Sequence, residues 1–353
     1  MLSMPLKFFI LPAIQILVIV GFSIGGWFAF LGLAVFLTMS LGFDFVEDRS
    51  GVDEMTDLGT PGKVLVYIIS GLQFALVGIG LYVAMNSDSW AQTIGVAMTF
   101  GPILAVGCGN PGHELAHSTK AIDHEISRAL FAICFHPSVI IDHVYRHHVT
   151  VGTPDDPLTA KRGERFGQFM MRSVPGQHVG ALDFERERLA RKGLGFWHWR
   201  NRALRGYVMS GVYLIGAVAI FGPTVLPIVI LPAIYAIRGM EAFNYMAHYG
   251  VMRVPGTPCG ARHSWNTRFT ISSGFTLNLT SHSHHHLAPA QPYWAINADG
   301  DIPLLPYGPA VNSILVGLPK IWFRLMEPRL ERWDQEWATE EELNLLRDAR
   351  ATA

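Results

Sequence analysis

The side chains best suited to chemistry in this 353-residue chain are histidines, and most of its fifteen fall into four short groups. The first is His113-Glu114-Leu115-Ala116-His117, and the second is His143-Val144-Tyr145-Arg146-His147-His148. The third holds a single histidine, in Asn244-Tyr245-Met246-Ala247-His248-Tyr249-Gly250, and the fourth is His282-Ser283-His284-His285-His286. Residues four apart on a helix share a face. His113 with His117, and His143 with His147, can therefore each offer two imidazoles to one point. His282 with His285 and His286 does the same through spacings of three and four. Imidazole suits zinc, copper, iron and nickel. The groups together supply more nitrogen ligands than one ion can use, so the pattern predicts a site for two ions.

Taken alone, the first group is ambiguous. H-E-x-x-H is also the zinc-protease signature, with the glutamate as general base. A catalytic zinc needs three protein ligands and a water, which leaves the other clustered histidines without a task. A membrane zinc protease is therefore the remote alternative. His124, His136, His178 and His198 stand alone and are read as non-ligands. A ligating histidine usually donates its other N–H to a carboxylate or carbonyl. Glu114, Asp142, Asp155, Asp156 and Glu241 are near enough in sequence to serve. The set expected to surround the ligands is Glu114, Asp142, Asn244, His263 and His284. His284 sits between two ligands but on the wrong side of the helical face.

The scaffold that must position these residues reads as membrane-embedded. Half of the residues are hydrophobic and 16% are charged, against about 25% in soluble domains. Mean hydropathy is +0.27. A net charge of −1 leaves no basic surface for nucleic acid. Cys108, Cys134 and Cys259 form no C-x-x-C pair, so neither a rubredoxin-type iron site nor an iron–sulfur cluster is built in. No G-x-G-x-x-G dinucleotide fingerprint occurs either. Any redox chemistry at such a site would draw its electrons from a separate protein.

From Phe8 to Phe43 no residue is charged. As one helix this run would be about 54 Å long, against a hydrocarbon core of about 30 Å. It must fold back, and Gly25-Gly26 is the obvious place. Spans are expected at 8–24, 27–43, 64–85, 90–108, 207–222 and 223–237, the last pair turning near Gly222-Pro223. An even number of spans puts all 27 Lys and Arg on one face, which the positive-inside rule makes cytoplasmic. The apolar segment 129–141 is too short to span and is read as buried or interfacial. The charged stretch Glu327 to Arg350 is read as a solvated helix. The expected architecture is a single all-α integral membrane domain over 1–353. It has six transmembrane helices, with a cytoplasmic helical cap from lobes 110–205 and 238–353 that holds the histidines.

The motifs resemble a known family. H-x3-H, H-x3-H-H and H-x2-H-H resemble the three histidine boxes of the membrane fatty acid desaturase and hydroxylase superfamily. Asn244 to Gly250 is similar to a further motif of its alkane 1-monooxygenase and xylene monooxygenase branch. Thr153-Pro154-Asp155-Asp156-Pro157, Ser264-Trp265-Asn266 and Trp322-Phe323-Arg324 are similar to that branch too. Thr153 to Pro157 and His263 to Asn266 resemble alkane hydroxylases. Gly25-Gly26-Trp27, Glu241 to Tyr245 and the ending Trp322 to Thr339 resemble the xylene enzyme. Three positions depart from the alkane pattern: Ala247 stands where Glu is usual, His284 where Asp is usual, and Val144 where Asn is usual.

The resemblance implies nine ligands: His113, His117, His143, His147, His148, His248, His282, His285 and His286. It implies two irons in a non-haem di-iron centre, with O2 as co-substrate. The implied reaction hydroxylates a terminal or benzylic methyl of an n-alkane or alkyl-aromatic, with electrons from rubredoxin or a ferredoxin-type reductase. The implied location is the bacterial inner membrane, with the active site on the cytoplasmic side. A membrane fatty acid or lipid desaturase or hydroxylase is the alternative. A substrate dissolved in lipid would enter between helices, along the ends of spans two, three, four and six. Trp27, Phe28 and Phe30 would stop a long chain, and Ala247, if it faces the metals, leaves room for compact substrates.

Overall fold

The computed structural model describes residues 5–38, 42, 44, 57–297 and 300–351. A 3-10 turn at Leu6–Phe9 leads into helix α1, Ile10–Ile24. The helix ends at Gly25, with φ of +83°, followed by Gly26 at +58°. Both values lie in the left-handed region that glycine enters without steric cost. The Gly26 amide donates to Gln92 Oε1 at 2.9 Å. The chain returns through a 3-10 turn, Gly26–Phe30, into α2, Leu31–Thr38. Gly32 lets α2 press against its neighbours, since a Cβ there would lie 2.4 Å from Val18 and 2.5 Å from Thr99 side-chain atoms. The end of the expected second span, from residue 39 on, falls outside the described residues except for Gly42.

Helices α3, Gly59–Met85, and α4, Trp90–Ala116, form the next hairpin. Ser89 caps α4 by accepting the Gln92 amide, which satisfies one of the free N–H groups at a helix start. Then come α5, Ala121–Ile133; a helical run α6 over 139–150; and α7, Phe166–Ala190. Helices α8, Arg202–Phe221, and α9, Leu226–Ala247, make the last hairpin, turning at Gly222 (φ +80°) and Pro223. Five short or amphipathic helices follow: α10 (Thr270–Phe275), α11 (His282–Leu287), α12 (Pro309–Leu315), α13 (Pro319–Glu336) and α14 (Glu340–Ala351). Among the described residues the only β feature is an isolated bridge between Asn266 and Leu304.

Among the described residues, five helices are long and apolar enough to cross a membrane: Leu6–Ile24, Gly59–Met85, Trp90–Ala116, Arg202–Phe221 and Pro223–Ala247. Gly26–Thr38 is apolar but shorter than the roughly 20 residues a helical span needs. Turns occur at both predicted glycine sites. Helix α4 is the hub, packed against α3, α5 and α9. Inside the bundle Gln15 Nε2 donates to Gln73 Oε1 at 2.9 Å, tying α1 to α3.

The two ends of the bundle differ. Lys7, ahead of α1, donates to Asn278 Oδ1 at 2.9 Å, and Lys63, in the first turns of α3, pairs with Asp123 at 2.7 Å. The starts of α1 and α3 thus lie at the end where α4 delivers His113 and His117. The 25–26 turn, fastened to Gln92 beside the 86–89 turn, lies at the other. The segment 129–141 is buried, with Leu130, Phe131, Ala132 and Ile133 in the interior. The C-terminal stretch departs from expectation. It divides into α13 and α14, whose Met326, Trp333 and Leu346 join a buried cluster with Tyr245, Tyr249 and Trp265. Apolar residues at helical spacing within the charged run give it this buried face.

Candidate metal centre

Nine histidines reach one region from four segments. Helix α4 brings His113 and its C-cap His117; α6 brings His143, His147 and His148; the end of α9 brings His248; and α11 brings His282, His285 and His286. They divide into two sets. The ring nitrogens of His113, His117, His143 and His285 lie within 4.8 Å of one another, and so do those of His147, His248, His282 and His286. His148 sides with the first set, its Nε2 lying 3.0 Å from Nε2 of both His143 and His285.

The backbone of α6 explains this division. Residues His143–His147 form a π-helical turn, and the His148 amide donates to the His143 carbonyl. A π turn closes i to i+5, so residues five apart face the same way. His143 therefore shares a set with His148. The sequence spacing pointed His143 and His147 at one place; the wider turn sends them to different sets. In the fourth group His282 and His286, four apart, share a set, while His285 joins the other.

The chemistry of the donors fits cations rather than shared protons. His113 Nε2 lies 2.8 Å from His143 Nε2 and 3.1 Å from His285 Nε2. In the second set His248 and His282 face at 2.9 Å, and His282 and His286 at 3.1 Å, again through Nε2. A neutral imidazole has one N–H and one lone pair. His147 Nδ1 lies 3.0 Å from Asp156 Oδ2, and His248 Nδ1 lies 3.3 Å from the His263 carbonyl. Both partners accept, so both histidines carry their proton on Nδ1 and turn a bare Nε2 inward. Nε2 of His117 and of His147 is buried with no hydrogen-bond partner. Buried polar atoms normally have partners, and a metal ion would satisfy these.

The electrostatics agree. Burial, and next the surrounding imidazoles, hold His143, His148, His282, His285 and His286 well below the usual imidazole range. The same causes lower His117 to about 4. Burial lowers His248 to about 3. Unprotonated rings with free lone pairs are what a metal requires.

The expected surrounding residues fare unequally. His263 reaches His248 through its backbone carbonyl, while its ring binds Glu342 at 2.8 Å. Asp142 pairs with Arg146 rather than with a ligand ring. Glu114 accepts the Tyr293 amide at 3.2 Å. His284 turns away and accepts the Asn297 amide at 3.2 Å. Asn244 donates to Glu241 at 3.1 Å and lines the adjoining cavity. Asp156, one of several acids in reach by sequence, is the carboxylate that meets a clustered histidine. It also accepts the Thr159 hydroxyl at 2.6 Å. Burial pushes Asp156 up, but His147 and Thr159 outweigh it and hold the carboxyl below its usual value.

A cavity of about 1330 Å³, counting its mouth, opens onto His113, His143 and His282. Its walls are mostly apolar and include Ile14, Phe36, Val106, Tyr235 and Phe275. It runs beside spans one, two, four and six; span three contributes nothing to its lining. Trp27 and Phe28 are largely exposed, and neither they nor Phe30 line it. Ala247 is buried but faces elsewhere.

Residues 88–302 match the family model described as fatty acid desaturase. The chain belongs to the fatty acid desaturase family. Among its relatives is an alkane 1-monooxygenase of Acinetobacter baylyi, 32% identical over 70% of this chain and 62% of that protein's length. This chain thus spans just under two thirds of that relative. An alkane 1-monooxygenase 1 of Alcanivorax borkumensis is 28% identical over 91% of this chain and 83% of its own. The xylene/toluene monooxygenase hydroxylase component of Pseudomonas putida is also 28% identical, over 96% and 93% of the two chains. All four histidine-bearing segments of this desaturase-family chain fall inside the matched residues 88–302.

Proposed function

We propose that this protein is a membrane-bound, non-haem di-iron monooxygenase that hydroxylates a hydrocarbon methyl group, terminal or benzylic, with O2. The observation that carries the reading is the convergence of nine imidazoles, in two sets, beside an apolar cavity that three of them line. The names of the relatives support hydroxylation of alkanes and of alkyl-aromatics. His113, His117, His143, His148 and His285 are read as the ligands of one iron, and His147, His248, His282 and His286 as those of the other. Iron in this all-nitrogen surround would supply the electrons that activate O2.

The remaining work belongs to the chain. Asp156 and the His263 carbonyl hold His147 and His248 in the tautomer that points Nε2 inward. Such partners usually orient the ring and raise its basicity. The apolar walls exclude water and hold the hydrocarbon with one end near His113, His143 and His282. On α4 the lining runs from Pro102 to His113, about 16 Å of helix. That length suits a compact or medium substrate. Gly26–Thr38 counts as a short sixth span in this reading, residues 1–353 as one domain, and the histidine end as cytoplasmic. A rubredoxin or a ferredoxin-type reductase would deliver electrons at that face of the bacterial inner membrane.

The test is product analysis in cells carrying the gene and donor proteins, fed p-xylene, octane and hexadecane. Alcohols from p-xylene or octane, formed faster than from hexadecane, are expected. An unsaturated product, or none from any of the three, would contradict hydroxylation. Faster turnover of hexadecane than of both others would contradict only the compact cavity.

A further inference from the structure

Two histidines outside both metal sets are not isolated from each other. His136, in the turn between α5 and α6, is fully buried, and its Nδ1 lies 3.2 Å from His178 Nε2 on α7. His178 Nδ1 in turn lies 2.6 Å from the Tyr207 hydroxyl on α8. On the inner side, His136 Nε2 lies 3.9 Å from Glu241 Oε1 and has no hydrogen-bond partner of its own. Glu241 is buried on α9 and lines the cavity that opens onto His113, His143 and His282. Gln177 Nε2 and Asn244 Nδ2 donate to its Oε1 at 2.8 and 3.1 Å, and the Ser173 hydroxyl donates to its other oxygen. His178 and Tyr207 are only partly buried. Tyr207 lies five residues, about 7.5 Å, past the start of α8, where Arg202 and Arg205 stand. A row of groups thus leads from the surface to the cavity wall, in hydrogen-bond contact from Tyr207 through His178 to His136 and with a 3.9 Å gap between His136 and Glu241.

We propose that Tyr207, His178, His136 and Glu241 form a proton relay that feeds the cavity from the aqueous face. The relay rests on the monooxygenase reading, which supplies its need. Each hydroxylation consumes O2, two electrons and two protons, and yields one alcohol and one water. The electrons come from the donor protein; the protons must enter a cavity whose walls are mostly apolar. The transfer is written with Tyr207 O–H donating to His178 Nδ1. His178 gives its Nε2 proton to His136 Nδ1, and His136 gives its Nε2 proton to the Glu241 carboxylate. Tyr207 is reprotonated from water, and Glu241 releases its proton into the cavity. Imidazole suits this role because it takes a proton on one nitrogen while releasing one from the other. Burial holds His136 down to about 3, so it rests neutral and passes a proton without storing it.

The experiment uses the full-length, iron-loaded protein in membranes with its donor. Wild type is compared with Tyr207→Phe, His178→Phe and Glu241→Gln, with iron content measured for each. Product formed per O2 consumed, and the solvent deuterium effect on turnover, are the readouts. The relay predicts unchanged iron, turnover slowed roughly 100-fold, lowered product per O2, and an altered solvent effect in all three variants. Glu241→Asp should recover part of the loss. Unchanged coupling and solvent effect in Tyr207→Phe and Glu241→Gln would overturn it. A second measurement needs no turnover. In the ¹⁵N-histidine-labelled protein, solid-state NMR should find one proton shared between His136 and His178, exchanging with D2O more slowly in Tyr207→Phe. Separate rings, or an unchanged exchange rate, would overturn the relay. Failure of wild type to hydroxylate any hydrocarbon would instead strike the monooxygenase reading, leaving the wiring to the NMR result.

Discussion

At the scale of single residues, the nitrogen that each histidine turns inward decides whether its ring can hold a cation. Asp156 decides this for His147, at 3.0 Å and fully buried. Asp156→Ala would remove the acceptor and free the ring to flip. Loss of such an outer partner typically weakens metal binding 10- to 100-fold. Chelator titration of the loaded protein should show that loss, while Asp142→Ala, whose carboxylate serves Arg146, should bind metal far more nearly as wild type does. The reverse order would reassign the partner. Helical spacing, which is local, singled out His113, His117, His143, His147, His282, His285 and His286, whereas His148 and His248 entered the set through the family resemblance. The sequence did not carry the choice among nearby acids. Asp142 and Asp156 are both buried and both close in sequence to ligands, and only the path of the chain after α6 separates them. Nor did it reveal the His136–His178 pair, whose members are 42 residues apart. Contacts of that range are set by the packing of α7 and leave no periodic trace.

At the scale of elements, turns and apolar helices were legible. Glycine pairs and Gly-Pro steps mark turns for steric reasons that act locally. The π turn in α6 was not legible, since its hydrogen bonds depend on the groups packed around it, and it re-sorted His143 and His147. The buried face of the C-terminal helices was not legible, because charge dominates their composition while a few spaced apolar residues decide their packing. Helix α14 also holds the site. Glu342 accepts from Arg262 at 2.9 and 3.1 Å, binds His263 at 2.8 Å, and caps its own helix through the Thr339 amide at 2.9 Å. Glu342→Ala should release the segment whose carbonyl orients His248. Leaving these buried partners unsatisfied should cost about 1–3 kcal/mol. Thermal unfolding should fall accordingly, with easier proteolysis after residue 336. An unchanged melting curve would remove α14 from the support of the site.

At the scale of the whole molecule, the bundle separates turns from chemistry. The 25–26 and 86–89 turns share one end, and the histidines occupy the other. Reporter fusions after Asn86 or Gly222 should report a periplasmic location, and fusions after Gly193 or at the C-terminus a cytoplasmic one. The opposite pattern would invert the protein and put the histidines out of reach of cytoplasmic electron donors. The most direct measurement of the central claim is the metal content of purified protein. Wild type should hold close to two irons per chain, one for each histidine set. His117→Ala and His248→Ala, which strike different sets, should each lose iron and hydroxylation together, whereas His198→Ala, on an exposed turn, should keep both. A single zinc in wild type, or full iron in both His117→Ala and His248→Ala, would contradict the di-iron centre.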